Sequence, residues 1–321
     1  MNMPDGIIFE RRASTVLYNY LRSCSRPGKW LLPANICPIV PAIFIKTRKE
    51  FEFVDVNPET FCMDASTVVE RLREGHGKTA GILFARTYGH GGVFEPQFRA
   101  FKAVEPDLLV VDDRCLCRPN FTHSGGVADL ELYSCGYAKF VDLGWGGWGL
   151  FRGTPDSGRE ELPFESRAHE ELLQQFRKTL MDGSTFVYPN TPWLDARPPG
   201  RTWAEFRTLV ESHVDACAKQ RNRLNAIYAA ELEPWAVPLA FRDWRFTIVC
   251  DCQTEIIKTI FDAGHFASSH YRSLAPMFGP GFAPVAERMG KRVVNLFNDF
   301  RYDENRAGEL AVIIRDKLQP H

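Results

Sequence analysis

The chain has 321 residues, 45% of them apolar and 25% charged, with a formal net charge of −1. This is the make-up of an ordinary globular enzyme, long enough for one large domain and a smaller one. The near-neutral balance leaves no electrostatic footprint for nucleic acid or an anionic membrane, and no apolar run approaches the ~20 residues that span a bilayer. The amino-terminal MNMPDGIIFERR carries acids and lacks an apolar core, so it does not read as a signal peptide. The nine cysteines are scattered. Cys115 and Cys117, like Cys250 and Cys252, are spaced C-x-C rather than as zinc ligands, which points to reduced thiols in a cytoplasmic protein and to no metal site.

In chain order, a short apolar start leads to a first helix, with Ser14 as a candidate N-cap and Val16, Leu17, Tyr20 and Leu21 at helical spacing. Arg11 and Arg12 put positive charge at that helix start, where free backbone N–H groups attract anions; solvated arginines on a plain first helix fit equally. Residues 30–37 read as a strand running into a turn, 38–45 as the start of a buried helix, and 51–56 as a second strand. A helix around Val68 and Leu72, a buried strand over 79–86, a helix over 96–104 and a strand from Leu108 follow. This alternation predicts a mostly parallel sheet with helices on both faces. His90, between Gly89 and Gly91 after a strand, reads chiefly as a turn residue.

The stretch from Leu108 to Gly149 concentrates the chemistry. An apolar strand delivers Asp112 and Asp113 at its carboxyl end, the usual place for a site in an open α/β sheet. A second strand, 128–133, runs into Ser134, and Lys139 follows five residues later. A glycine-rich run, Gly144, Gly146, Gly147 and Gly149, comes next. A lysine amine can form a Schiff base with an aldehyde cofactor, and an aspartate can keep a pyridinium nitrogen protonated. The same residues also fit strand-end caps and a solvated lysine.

Past a polar loop at 153–165, a helix is expected over 169–181, a loop over 183–199 and a long helix from Trp203 to Leu232. Pro198, Pro199 and Gly200 punctuate a boundary between a domain of residues 1–200 and a smaller α+β domain of residues 201–321. The latter should hold strands at 244–249 and 293–297, a helix over 254–263 and a terminal helix over 304–318. The chain has no G-x-G-x-x-G after its first strand, so a nicotinamide-binding fold finds no support.

Several segments together resemble the DegT/DnrJ/EryC1/StrS aminotransferases, fold-type I pyridoxal-phosphate enzymes that aminate nucleotide-linked keto-sugars. RRAST resembles the family's phosphate turn. FEFVDVNPETFCMD is similar to its "V-F-V-D-V-d-p-x-T…i-D" segment, and VVDDRC to its "V-I-E-D-A-A" strand end. YSCGYAK has the same serine-to-lysine spacing as "f-S-f-h-x-x-K", and GHFASSHYRSL is similar to "G-I-x-t-x-x-H-Y-x-P-L". The resemblance implies a three-layer large domain with a mixed, mostly parallel sheet and a small carboxyl-terminal domain. It implies pyridoxal 5'-phosphate as cofactor, glutamate or glutamine as amino donor and a keto-sugar as acceptor. By the same resemblance Lys139 would be the Schiff-base lysine and Asp113 would bind the ring nitrogen. Ser134 with the backbone at Arg12 and Ala13 would bind the phosphate, and Cys37 would lie where the family places a stacking ring. Family members are homodimers with composite sites, so Asn190 would reach the partner's phosphate. The chain departs from the pattern at Arg11, where a glycine is usual, and near Leu116, where a glutamine is usual. Dehydratase or lyase chemistry on the same cofactor, and a non-catalytic family member, are the alternatives; the presence of Lys139 favours transamination.

Overall fold

The computed structural model describes residues 6–75, 77–153, 159–279 and 281–319. The reading of the first five residues, and of positions 154–158 in the expected loop, lies outside them. The large sheet is built from β1 (Ile7–Glu10), β2 (Lys29–Pro33), β3 (Phe51–Val54), β4 (Thr79–Ala85), β5 (Leu109–Asp113), β6 (Leu130–Ser134) and β7 (Gly147–Phe151). Their order is β1-β7-β6-β5-β4-β2-β3. Strands β2 to β6 run parallel, and β7 is antiparallel to both β6 and β1. β4 is buried along its whole length, as a central parallel strand covered on both faces must be.

Alternating side chains feed two cores. Trp30, Leu32, Leu83, Val111 and Leu132 face α1 (Ala13–Ser23), α2 (Ile39–Lys46) and, further along the chain, α5 (Ser166–Asp182). Leu31, Ile82, Phe84 and Val110 face α3 (Ala65–Gly75) and α4 (Glu95–Val104) on the other side. The three-layer architecture expected from the alternation is therefore present, with the carboxyl ends of β4, β5 and β6 side by side.

The long helix α6 (Trp203–Leu232) begins with a capping box in which Thr202 and Glu205 satisfy each other's backbone N–H groups. Its first half buries Trp203, Phe206 and Val210 against Phe9, Tyr133 and Trp148 of the large sheet. Its second half buries Leu224, Tyr228 and Leu232 against a separate three-stranded antiparallel sheet, β8 (Phe246–Val249), β10 (Val293–Leu296) and β9 (Ala267–Ser268) in that order. Helices α7 (Gln253–Asp262) and α10 (Glu304–Leu318) pack on the same core, and the short α8 (Ala275–Phe278) and α9 (Pro284–Gly290) connect β9 to β10.

Two local readings are corrected. Residues 7–10 form a strand, which four residues without clear alternation did not reveal; its partner β7 lies far along the chain. The first helix starts at Ala13, with Arg12 rather than Ser14 at the cap, extended at φ −141° and ψ 146° and making no side-chain capping bond. Packing of β7 against this turn sets the helix start, overriding the capping preference of serine.

Candidate active site

Consecutive residues of a strand point to opposite faces, and that separates the two acids at the end of β5. Asp112 is fully buried and accepts a fork of hydrogen bonds from Arg86, Nε at 2.8 Å and Nη2 at 2.9 Å, with a third from Arg114 Nε at 2.7 Å. Arg114 also reaches Tyr133 and Glu131. Asp112 is thus the centre of a buried ionic network. Asp113 faces the other way and is only partly buried, with Oδ1 accepting the Cys115 N–H at 3.0 Å. Burial pushes the Asp113 carboxyl above its ordinary range, while the Cys115 amide and the Lys139 charge pull it back.

The same Lys139 charge acts on the thiols of Cys37 and Cys115 and on the imidazole of His270, so these groups lie near the lysine. The turn that presents it is held at its backbone. Ala138 adopts φ 54°, a left-handed conformation costly for a residue with a Cβ. Its N–H donates to Asp142 Oδ2 at 2.9 Å, and its carbonyl accepts Trp244 Nε1–H at 2.6 Å. Arg221, buried on α6, donates Nη2–H to the carbonyls of Lys139 and Phe140, both at 3.0 Å. The Trp244 ring lies nearly parallel to Tyr88 and Tyr271, with centroids 6.2 and 6.1 Å away. Burial, with the charges of Arg245 and Lys139, pushes His270 down to about 4, so its ring is neutral at neutral pH. His90 is a turn residue, as expected: its Nδ1 accepts the Gly92 N–H at 2.8 Å and its ring packs edge-on against Phe94 and Phe241.

At the other end of the site, the start of α1 meets the Ser134 turn. Ser134 Oγ accepts the Gly136 N–H at 3.2 Å, and Arg12 Nη1 donates to Gly144 O at 2.7 Å. A Cβ built on Gly136 would lie 3.3 Å from Ser134 Oγ and 3.9 Å from Arg12 Nη1, so hydroxyl and guanidinium converge there. The first N–H groups of α1 have no intrahelical acceptor, and the cap side chain supplies none. Hydroxyl, guanidinium and helix N-terminus together make an anion cradle. Asp195 braces it, taking Arg11 Nε at 3.1 Å and Arg197 at 2.7 and 2.9 Å, while its carbonyl accepts Thr15 Oγ1–H at 2.9 Å.

Gly147 makes the close approach possible. A Cβ there would sit 2.1 Å from Ala13 N, against backbone that cannot turn aside. Gly147→Ala is expected to displace the start of α1 and destabilise the fold by roughly 1–3 kcal/mol as an overpacking substitution. A thermal melt with unchanged midpoint would contradict the packing described.

The structure therefore brings Arg12, Ala13, Cys37, Asp113, Ser134 and Lys139 to one region. Cys37 is half-buried beside Lys139 and Asp113, and burial pushes its thiol up. The aromatic surface near the lysine comes from Tyr88, Trp244 and Tyr271. Asn190 is exposed in the loop between α5 and α6 and is not drawn into this region of its own chain. Arg221, Trp244, Arg245 and Asp195 were not identified from sequence, because each arrives from a distant segment with no local signal. Only the H-Y pair at 270–271 had one, in the family motif it resembles.

No family model matches the chain, and no curated protein matches it. Solved structures do match in fold. A DegT DnrJ EryC1 StrS aminotransferase from Brucella abortus superposes with a TM-score of 0.70 at 17% identity, over 98% of this chain and 86% of that one. A protein from Streptococcus pneumoniae named as a sugar aminotransferase, solved in its PLP form, gives 0.73 at 14% identity, over 98% and 88%. DesI, solved in the presence of its TDP-sugar product, gives 0.70 at 15% identity, over 96% and 79%. The chain has the fold of these aminotransferases. In this aminotransferase fold the antiparallel β7 returns the chain from Lys139 to the start of α1, which is how the lysine and the anion cradle come to share one end of the sheet.

Proposed function

We propose that the protein is a pyridoxal-phosphate-dependent aminotransferase that transfers an amino group from glutamate or glutamine to a nucleotide-linked keto-sugar. The observation that carries this reading is the placement of Lys139 against Asp113, with the cradle of Arg12, Ser134 and the α1 N-terminus alongside. The residues fit the cofactor chemically. Asp113 is a carboxylate raised by burial, and a protonated ring nitrogen would favour its charged form further. The cradle offers hydroxyl, guanidinium and backbone donors suited to a phosphate. Folds of the S. pneumoniae protein in its PLP form and of DesI with its TDP-sugar product support the cofactor and the acceptor class.

When bound, pyridoxal phosphate supplies an aldehyde carbon and an electron-withdrawing ring. Asp113 keeps the ring nitrogen protonated. Arg12, Ser134 and the N–H groups of Ala13 and Ser14 hold the phosphate. Lys139 Nζ would hold the aldehyde carbon and, as a free amine, would accept a proton from the donor's α-carbon. Arg221, Trp244 and Asp142 keep the lysine turn in its strained form. Cys37, beside Lys139 and Asp113, would not stack on the ring as an aromatic residue does, and Tyr88, Trp244 and Tyr271 supply flat apolar surface near the lysine turn.

A homodimer is part of this proposal, with Asn190 serving the partner's phosphate. Met181 in the last turn of α5 and Val187 in the loop itself are exposed, at 75% and 73%, which supports a partner surface there. The free thiols support a reducing, cytoplasmic setting, and among the described residues no helix is long and apolar enough to cross a membrane. Protein purified with pyridoxal phosphate should absorb in the visible. The band should fade with glutamate or glutamine and return with a keto-sugar nucleotide. No band after reconstitution would overturn the assignment.

A further inference from the structure

Arginine is almost never fully buried unless it is paired with an acid. Arg245 is 4% exposed, yet among the described residues no carboxylate lies within ion-pair distance of it. Its guanidinium carbon sits 4.2 Å from the Trp244 ring centre and 3.8 Å from that of Phe297. Two ring faces fix the guanidinium plane and favour its charge without using any N–H. Nη1 donates to Ser268 Oγ, which in turn donates to Asn295. Nε and Nη2 donate to no described residue. These two parallel N–H groups are the fork with which Arg86 grips Asp112, so the edge suited to a carboxylate is the edge left open.

The arginine belongs to the lysine's surroundings. Its neighbour Trp244 holds the Ala138 carbonyl beside Lys139, and the charges of Arg245 and Lys139 both bear on His270. The one carboxylate whose charge bears on it, Asp299, is already engaged by Arg301. Burial lowers Arg245 only to about 10, so it stays charged at neutral pH.

We propose that Arg245 is the carboxylate-binding residue of this site, gripping a substrate carboxylate through Nε and Nη2. The proposal rests on reading the Lys139 region as the active site. The carboxylate is that of the amino-acid donor or that of an acidic keto-sugar acceptor.

The test is calorimetric titration of cofactor-reconstituted protein with glutarate and with glutaramide, which has the same skeleton without the charge. Wild-type protein should bind glutarate at least ~10-fold more tightly than glutaramide, since charge-assisted bonds are about twice as strong as neutral ones. Arg245→Gln should weaken glutarate roughly 10- to 100-fold, and Arg245→Lys, which keeps the charge without the fork, should fall between. Equal binding of the two compounds by wild-type protein, a comparison that needs no variant, would overturn the proposal. So would unchanged glutarate binding by folded Arg245→Gln. The visible band is read in the same samples. A missing band with Arg245-dependent glutarate binding would remove the cofactor reading and keep the carboxylate site. Slower fading of the band with glutamate in Arg245→Gln assigns the carboxylate to the donor. Normal fading with slowed return on adding a keto-sugar acid assigns it to the acceptor. No change in either half overturns the proposal.

Discussion

Lys139→Ala should abolish transamination, with turnover down by at least ~10⁴-fold, the upper range for loss of a general base, since attachment of the cofactor goes with it. The protein should still fold. The turn around residue 139 is held by the carbonyls of Ala138, Lys139 and Phe140 and by the Ala138 N–H, none of which depends on the lysine side chain. The melting temperature should therefore stay within a few degrees of wild type, the size of a ~1 kcal/mol change. The visible band of the reconstituted protein should shift, because aldehyde bound without its lysine is a different chromophore. Steady-state turnover, a melt and one spectrum check all three parts. Normal turnover in a folded Lys139→Ala protein would end the transaminase assignment.

The adjacent acids of β5 should fail in opposite ways. Asp112→Ala leaves the buried guanidinium of Arg86 and that of Arg114 without their shared carboxylate. Removing one partner of a buried pair costs about 3–5 kcal/mol, so a melting temperature lower by several degrees or more is expected. Asp113→Asn keeps an oxygen for the Cys115 N–H and should leave the melt nearly unchanged. It removes the negative charge that faces Lys139 and, in the proposed reading, the ring nitrogen. Turnover should fall by about 10²–10³-fold, the scale for loss of one preorganised electrostatic contact. Thermal melts and turnover of the two variants side by side decide the matter. If Asp112→Ala unfolded no earlier than Asp113→Asn, or if only the Asp112 variant lost turnover, the roles given to the two acids would be wrong.

Local pattern carried much of this fold. Leu108 to Val111 is a short apolar run ending in two acids, the pattern of a strand buried on both faces, and the 3-to-4 spacing in α6 is that of a helix. The spacing from Ser134 to Lys139 spans one strand end and one turn, so both side chains belong to the same rim of the sheet before any packing is known. The pairing of β1 with β7 was not legible, because four residues carry too little periodicity and their partner is remote. Nor was the cap at Arg12, where the close contact of Gly147 with Ala13 outweighs the preference of a nearby serine.

The sequence by itself determined the alternation of strands and helices and the delivery of Asp113, Ser134 and Lys139 to strand ends. Those are properties of spacing within a dozen residues, where backbone geometry leaves few choices. Tertiary structure alone decided which acid faces the lysine, since a one-residue change of register would exchange Asp112 for Asp113. It alone brought Arg221, Trp244 and Arg245 from beyond residue 200 to the lysine turn. Contacts of that kind are set by how two separately patterned cores close on each other, and the patterning of each core says nothing about which side chain arrives at the seam.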